Sequence, residues 1–124
     1  MVEQSQGESP RPTDVKFNRA ERQLDMTFDT GEVFHLPFEL LRVESPSAEV
    51  QGHGASQKQL VPGKRHVGVS KVVATGNYAV RIVFDDGHNS GIYSWDYLYR
   101  MGASLEDTWK TYLDALAEAG LSRE

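Results

Sequence analysis

Residues 79–100 read AVRIVFDDGHNSGIYSWDYLYR, and residues 24–42 read LDMTFDTGEVFHLPFELLR. Each stretch has alternating apolar residues, then Phe-Asp-x-Gly, a second apolar run and a short segment that ends in Leu-x-Arg. Alternation with a period of two indicates a strand with one buried face, and Asp-x-Gly is typical of a tight turn because glycine readily adopts positive φ. Each stretch therefore predicts a β-hairpin followed by a short helix, and the second copy is two residues longer between its glycine and its arginine.

The flanking segments extend these two units into one small α+β domain of antiparallel β-hairpins, short helices and a C-terminal amphipathic helix. Residues 1–11 have almost nothing to bury, which predicts a disordered leader, and the main domain is expected over residues 12–103. Residues 43–65 are polar and contain two prolines and three glycines, which predicts a long surface loop.

The last element, SLEDTWKTYLDALAEAG over residues 104–120, predicts a helix that packs on the same domain. Ser104 followed by Asp107 resembles a capping box, and Gly120 is a suitable C-terminal stop. Apolar residues recur on one face of this helix, as expected for a core-facing stripe: Leu105, Trp109, Tyr112, Leu113 and Leu116.

Composition excludes several classes of function. The chain has 124 residues, a net charge of −5 and no cysteine. An acidic chain lacks the basic face that nucleic acid requires, and the missing cysteines exclude disulfides and thiol nucleophiles. Residues 1–12 have no apolar signal-peptide core, and no apolar run approaches the roughly 20 residues of a membrane span. We therefore expect a cytoplasmic protein that binds neither nucleic acid nor membrane.

His88 is the first candidate for chemistry. It could act as a metal ligand, or as an acid–base group with Asp85 or Asp86. The alternative is a turn histidine beside an Asp-Gly pair, and the spacing alone does not decide between these interpretations.

The other candidates give weaker signals. His35, His53 and His66 have no metal-ligand spacing with one another or with His88, so a metal site would require the fold to bring distant residues together. Four aromatic residues alternate after His88, and they predict either core packing or a contact surface: Tyr93, Trp95, Tyr97 and Tyr99.

Three stretches carry a family resemblance: RPTDVKF, LDMTFDTGEVFHLPFELLRVESPSAEVQGHG and GNYAVRIVFDDGHNSGIYSWDYLY. Together they resemble the gamma-butyrobetaine hydroxylase-like N-terminal domain family, over residues 12–101. The resemblance implies a standalone bacterial member. Other members are fused to 2-oxoglutarate oxygenases or to Mrp-type iron–sulfur carrier proteins. In the fused oxygenases this domain is not catalytic, so the resemblance implies an accessory module.

The resemblance also implies a lost metal site. Zinc-binding members have C-x-C-x-x-C after the first Leu-Arg, together with the histidine of Asp-Gly-His. Those positions are Ser45, Ser47, Val50 and His88 in this chain, so every thiolate is absent. Serine hydroxyl groups are poor zinc ligands at neutral pH, and we expect neither zinc nor another cofactor. The fold must then hold residues 42–51 without a metal.

Three functions follow as expectations. The first is a non-catalytic accessory or interaction module, with an unidentified protein partner related to iron–sulfur assembly or oxygenase chemistry. Its contact surface comprises Arg42, His88, Ser90, Tyr93, Trp95, Tyr97 and Tyr99. The second is a metal-binding protein rebuilt around His88, with His53 or His35 and an acidic residue such as Asp86. The third is a small acid–base enzyme that uses His88. Either a monomer or a homodimer agrees with the sequence.

Overall fold

Two antiparallel three-stranded sheets form the β portion of the protein. They come from a computed structural model that describes residues 10–52 and 57–124. Most of the predicted leader, and His53, lie outside these residues. The strands follow the chain order β1-β2-β3 and β4-β5-β6. Their bounds are β1 Pro12–Asn18, β2 Gln23–Phe28, β3 Val33–Pro37, β4 Val69–Thr75, β5 Ala79–Phe84 and β6 Ile92–Ser94.

Four short helices within the described residues complete the α+β fold that the sequence predicts. Their bounds are α1 Phe38–Val43, α2 Ala48–Gln51, α3 Trp95–Ala103 and α4 Leu105–Ala119. None of the helices in this part of the chain is long and apolar enough to cross a lipid bilayer.

Both predicted hairpin–helix units are present. In the first unit, Gly31 has a φ of 91° in the turn between β2 and β3, and Pro37 occupies the residue before α1. In the second, Gly87 has a φ of 94° in the turn that leads from β5, and the hydroxyl oxygen of Ser94 accepts a hydrogen bond from the N–H of Tyr97 at the start of α3. Each unit has an additional strand at its outer side, β1 or β4, which completes its sheet.

One apolar core joins the two units. The inward side chains of β2 and β5 alternate as the period of two predicts, and the helices cover them. Tyr78 precedes β5 in the turn and is 57% exposed. The main members of the core are Leu24, Met26, Phe28, Leu36, Leu40, Leu41, Ile82, Phe84, Tyr93 and Leu98.

The prediction of a surface loop is wrong for the first part of residues 43–65. Ser45 is 0% exposed, Val50 is 2% exposed, and the short helix α2 lies between residues 48 and 51. Ser47 caps this helix by accepting a hydrogen bond from the N–H of Glu49 at 2.9 Å. The polar composition of this segment predicts exposure, whereas the hydroxyl groups of Ser45 and Ser47 are buried against the second hairpin.

The C-terminal helix packs on the core through Tyr112 and Leu116, and Gly120 ends it in the left-handed conformation. The predicted capping box is wrong. Ser104 precedes the helix but makes no side-chain cap bond, since its hydroxyl donates to the carbonyl oxygen of Arg100 at 2.9 Å. Ser104 also ends α3, and its side chain bonds to that helix.

Candidate functional site

His88 lies at the end of the second hairpin turn, and its imidazole ring is buried. The side chain is 4% exposed. The main-chain N–H of His88 donates to Oδ1 of Asp86 at 3.0 Å, and its carbonyl oxygen accepts from the N–H of Phe84 at 2.9 Å. The turn therefore fixes the backbone on both sides of the ring and directs the ring inward.

Both ring nitrogens of His88 have partners from the segment that follows α1. Nε2 is 2.9 Å from Oγ of Ser45, and Nδ1 is 3.0 Å from Oε1 of Glu49. A neutral imidazole has one donor and one acceptor, so these two contacts use its full hydrogen-bonding capacity. The histidine thus ties the second hairpin–helix unit to the end of the first.

Two further serines extend this connection. The hydroxyl of Ser90 donates to Oγ of Ser47 at 2.9 Å, and the N–H of Ser47 donates to Oγ of Ser45 at 3.3 Å. Ser45 and Ser47 are buried, while Ser90 is exposed. We call the set Ser45, Ser47, Glu49, His88 and Ser90 the serine–histidine clasp.

Close packing explains the glycine that follows Ser90. A Cβ atom on Gly91 would lie 2.5 Å from Oγ of Ser45, well inside van der Waals contact. Gly91 is buried, and its carbonyl oxygen accepts a hydrogen bond from the N–H of Ile82. The missing side chain is what lets Ser45 approach the hairpin closely enough to reach His88.

The environment of His88 favours its neutral form. Burial lowers the pKa of His88 below its usual 6.5, and the nearby guanidinium of Arg42 lowers it further, while Glu49 and Asp86 act in the opposite direction. The net direction is downward, so the ring is uncharged at neutral pH. A buried neutral histidine with both nitrogens bonded resembles a structural residue more than a general base, which needs contact with a reacting group.

Asp86 forms a separate ion-pair cluster. Its Oδ2 atom is 2.8 Å from Nε of Arg42 and 2.7 Å from Nζ of Lys64. Burial alone would raise the pKa of Asp86, but the bonds from Lys64, the N–H of His88 and Arg42 lower it to about 2. Nη1 of Arg42 is buried with no hydrogen-bond partner among the described residues. Asp86 therefore binds two cationic side chains and the main chain of the turn.

The prediction that Asp85 or Asp86 pairs with the imidazole ring of His88 is wrong. The carboxylate that contacts the imidazole belongs to Glu49, whereas Asp86 bonds only the main-chain N–H of His88, and Asp85 is exposed. Glu49 escaped sequence reasoning because it lay in the predicted loop. The signal that could have found it is Ser47 as an N-cap, which marks a helix start with Glu49 in its first turn.

Neither His35 nor His66 contacts His88. His35 lies on the outer face of the first sheet, with Nδ1 2.7 Å from Oδ1 of Asp25, and His66 is 79% exposed. Residues 10–52 and 57–124 contain no group of three or more His, Cys, Asp or Glu that could hold a metal ion. Nor do the positions that the resemblance assigns to zinc fit that metal. They present two bonded hydroxyl groups, an alkyl side chain and one imidazole where zinc prefers four N or S donors.

The residues of the predicted contact surface fall into a buried group and a more exposed group. Tyr93 is fully buried and its hydroxyl donates to the carbonyl oxygen of Leu41, so the structure removes Tyr93 from that surface, and His88 with it. These two side chains face inward because β6 and the turn pack against α1 and the segment after it. Arg42, Trp95, Tyr97 and Tyr99 are half-buried, and Ser90 is exposed.

A groove of about 190 Å³ lies beside Tyr97 of α3. The hydroxyl of Tyr97 donates to the carbonyl oxygen of Glu44, and the guanidinium of Arg100 lies 5.8 Å from the centre of the Tyr97 ring. Burial, with a smaller contribution from the Glu44 carboxylate, raises the pKa of Tyr97 to about 12. The groove is lined by Glu44, Tyr97, Arg100, Met101, Ser104 and Thr108. Sequence reasoning missed Glu44, Arg100, Met101, Ser104 and Thr108, because the groove forms only where α3, α4 and the end of α1 meet.

Comparison with known proteins agrees with the resemblance. The family model described as gamma-butyrobetaine hydroxylase-like, N-terminal, matches residues 15–99. A comparison with curated proteins found no match.

Three of the solved structures that match this chain share most or all of its length. One solution NMR structure is 42% identical, with a TM-score of 0.82, over 94% of this chain and 92% of that one. A second is 47% identical, with a TM-score of 0.81, over 100% and 91%. A crystal structure from Acidithiobacillus ferrooxidans ATCC 23270 is 40% identical, with a TM-score of 0.63, over 74% and 92%. It is described as a protein of unknown function in the DUF971 family.

Proposed function

The chain belongs to the gamma-butyrobetaine hydroxylase-like N-terminal domain family, and from that membership together with the closed serine–histidine clasp we propose that it is a non-catalytic accessory module that binds another protein. The observation that carries the proposal is the groove of about 190 Å³ beside α3. It combines an aromatic ring, a cation and several hydroxyl groups, while the clasp has its polar groups bonded to one another.

The clasp supports this proposal because its groups are committed to the fold. The nitrogens of His88 contact Ser45 and Glu49, and the ring is 4% exposed. A catalytic histidine must reach a substrate atom or a water molecule, and a metal ligand must leave one nitrogen free. Each function would require the clasp to open at the expense of buried hydrogen bonds.

The groove has the composition of a protein-binding site. Tyrosine and arginine are enriched among residues that dominate binding energy, and Tyr97 and Arg100 lie together at its wall. Arg100 is 66% exposed, so a partner can reach its guanidinium. Glu44 contributes a carboxylate that pairs with Lys58 at 2.6 Å. We expect the partner to present an acidic or hydrogen-bonding segment to Arg100 and an apolar side chain to the Tyr97 ring.

The proposal also keeps the predicted contact residues that are not buried. Arg42, Ser90, Trp95 and Tyr99 keep partial or full exposure and stay in the proposal. Fusions in the family, which the sequence resemblance implies, make proteins of iron–sulfur assembly and of oxygenase systems the first partners to test.

The experiment compares charge reversal in the groove with a matched reversal elsewhere. Arg100 and Lys110 each form an exposed ion pair four residues apart on a helix, Arg100 with Asp96 and Lys110 with Asp114. The natural chain, Arg100→Glu and Lys110→Glu would each be used for affinity capture with and without ferrous iron. Any enriched protein would then be purified and its Kd measured against all three chains.

We expect one purified partner to bind the natural chain and Lys110→Glu equally, and to bind Arg100→Glu at least about tenfold more weakly. Equal binding to all three chains would place the contact elsewhere. Absence of any protein that binds in purified form would count against an accessory role.

A further inference from the structure

The outer strand of the first sheet leaves one edge without a strand neighbour. β1 pairs with β2 on one side, and no strand pairs with its other side among residues 10–52 and 57–124. The central residues of β1 are exposed, and Val15 is 37% exposed although it lies on the face that points toward the core. An open edge of this kind is a template for pairing with another strand.

Two opposite charges flank Val15 on the solvent face of β1. Val15 pairs with Met26, whose side chain is buried, whereas Asp14 and Lys16 pair with Thr27 and Asp25 on the opposite face. Neither Asp14 nor Lys16 forms an ion pair with any residue in the described ranges. Both charges are therefore available to a neighbouring strand.

We propose that β1 pairs with β1 of a second copy of this chain, antiparallel and with a two-fold axis at Val15. In an antiparallel pair, residues equally far from the axis lie opposite one another. Asp14 then faces the partner's Lys16, and Lys16 faces the partner's Asp14. Opposite charges at directly opposed positions stabilise a strand pair, and the two-fold axis forms this pair twice.

The charge pattern also selects this register. Moving the axis by one residue would place either Asp14 opposite its own copy or Lys16 opposite its own copy, and like charges in those positions are destabilising. With the axis at Val15, the two Val15 side chains meet on the core side of a continuous six-stranded sheet. The sequence of β1 is thus complementary to itself, which is the property of a symmetric dimer contact.

The pairing is short, because Pro12 has no N–H to donate and limits the paired segment to about residues 13–17. A contact of this size buries less surface than a stable dimer does, so we expect a dissociation constant of about 10 µM to 1 mM. The contact involves β1 and leaves the groove at α3 free, so it is independent of the proposed function.

The test uses charge exchange at β1. Sedimentation velocity and two-dimensional NMR would follow the natural chain from about 10 µM to about 1 mM, together with Asp14→Lys, Lys16→Asp and the double exchange Asp14→Lys/Lys16→Asp. Lys71, exposed on β4, provides the matched control Lys71→Asp. All substituted side chains are exposed, and far-ultraviolet circular dichroism would verify that each variant folds.

We expect concentration-dependent association, with amide shifts concentrated in residues 13–17. Each single exchange creates two like-charge pairs and should weaken association about tenfold, whereas the double exchange should restore it to within about threefold. Lys71→Asp should associate like the natural chain. A chain that is monomeric at 1 mM would overturn the proposal, as would single exchanges without effect or a double exchange that does not recover association.

Discussion

Ser45 connects the two hairpin–helix units, although its side chain is small and polar. Its hydroxyl is fully buried at the end of the first hairpin–helix unit and contacts His88 in the second, 43 residues away. Gly91 makes room for it, because any Cβ there would collide with Oγ of Ser45. The hydroxyl therefore connects the two halves of the fold at a point that apolar packing alone does not define.

Replacing Ser45 with alanine should destabilise the fold by about 1–3 kcal/mol. The variant leaves Nε2 of His88 buried without a partner, and an unsatisfied buried group costs its desolvation free energy. Urea unfolding would measure the change. Ser70→Ala is the control, because Ser70 is exposed on β4 and should change stability by less than about 0.5 kcal/mol. Equal stabilities for the two variants would mean that the contact between Ser45 and His88 does not stabilise the fold.

Among the secondary-structure elements, those with a clear period were predictable. The alternation in β2 and β5, the Asp-x-Gly turns and the apolar stripe of α4 each reflect local chemistry that acts over a few residues. The sequence pattern therefore predicted both hairpin–helix units and the C-terminal helix.

The elements that depend on distant contacts were not predictable in this way. The burial of Ser45 results from the second hairpin, and nothing in the local composition of residues 43–65 encodes that contact, although Ser47 as an N-cap is a local signal for α2. The cap at Ser104 failed for a related reason, because two helices share that residue and its hydroxyl bonds to the first. His88 was identified as a site candidate, but its partner Glu49 required the fold.

The C-terminal residues hold α1 in place, and this contact can be tested. Arg123 forms two hydrogen bonds with the carboxylate of Glu39, at 2.9 and 2.7 Å, and the side chain of Glu39 is 6% exposed. Arg123→Ala would leave a buried carboxylate unpaired and should lower the free energy of unfolding by about 3 kcal/mol.

Lys110→Ala is the matched control for Arg123→Ala. It removes an ion pair in which both side chains are more than half exposed, and surface pairs contribute at most about 0.5 kcal/mol. Chemical denaturation of the two variants would measure the difference. If Arg123→Ala were no more destabilising than Lys110→Ala, the C-terminal contact would not stabilise α1.

Taken together, the two units are joined by hydrogen bonds at the positions where the resemblance implies a metal in other family members. Introducing cysteines at these positions should therefore create a zinc-binding site. The variant Ser45→Cys/Ser47→Cys/Val50→Cys should bind about one zinc ion per chain, with His88 as the fourth ligand, because zinc prefers four N or S donors.

Zinc content after dialysis under reducing conditions would measure this binding. The same triple variant with His88→Ala should bind zinc more weakly, and the natural chain should retain none. A triple variant that fails to retain zinc while folded would show that these positions do not converge on a metal site.

The state of His88 distinguishes a structural clasp from a reactive or metal-binding residue. Because burial lowers its pKa below 6.5, the folded state binds fewer protons than the unfolded state, and stability falls as the pH drops below about 6.5. NMR of the His88 ring nitrogens from about pH 8 to about pH 5, with and without zinc, measures this directly. We predict one neutral tautomer at neutral pH and protonation only below pH 6.5, with no change on adding zinc. A ring that titrates at or above 6.5, or whose signals shift when zinc is added, would contradict the account.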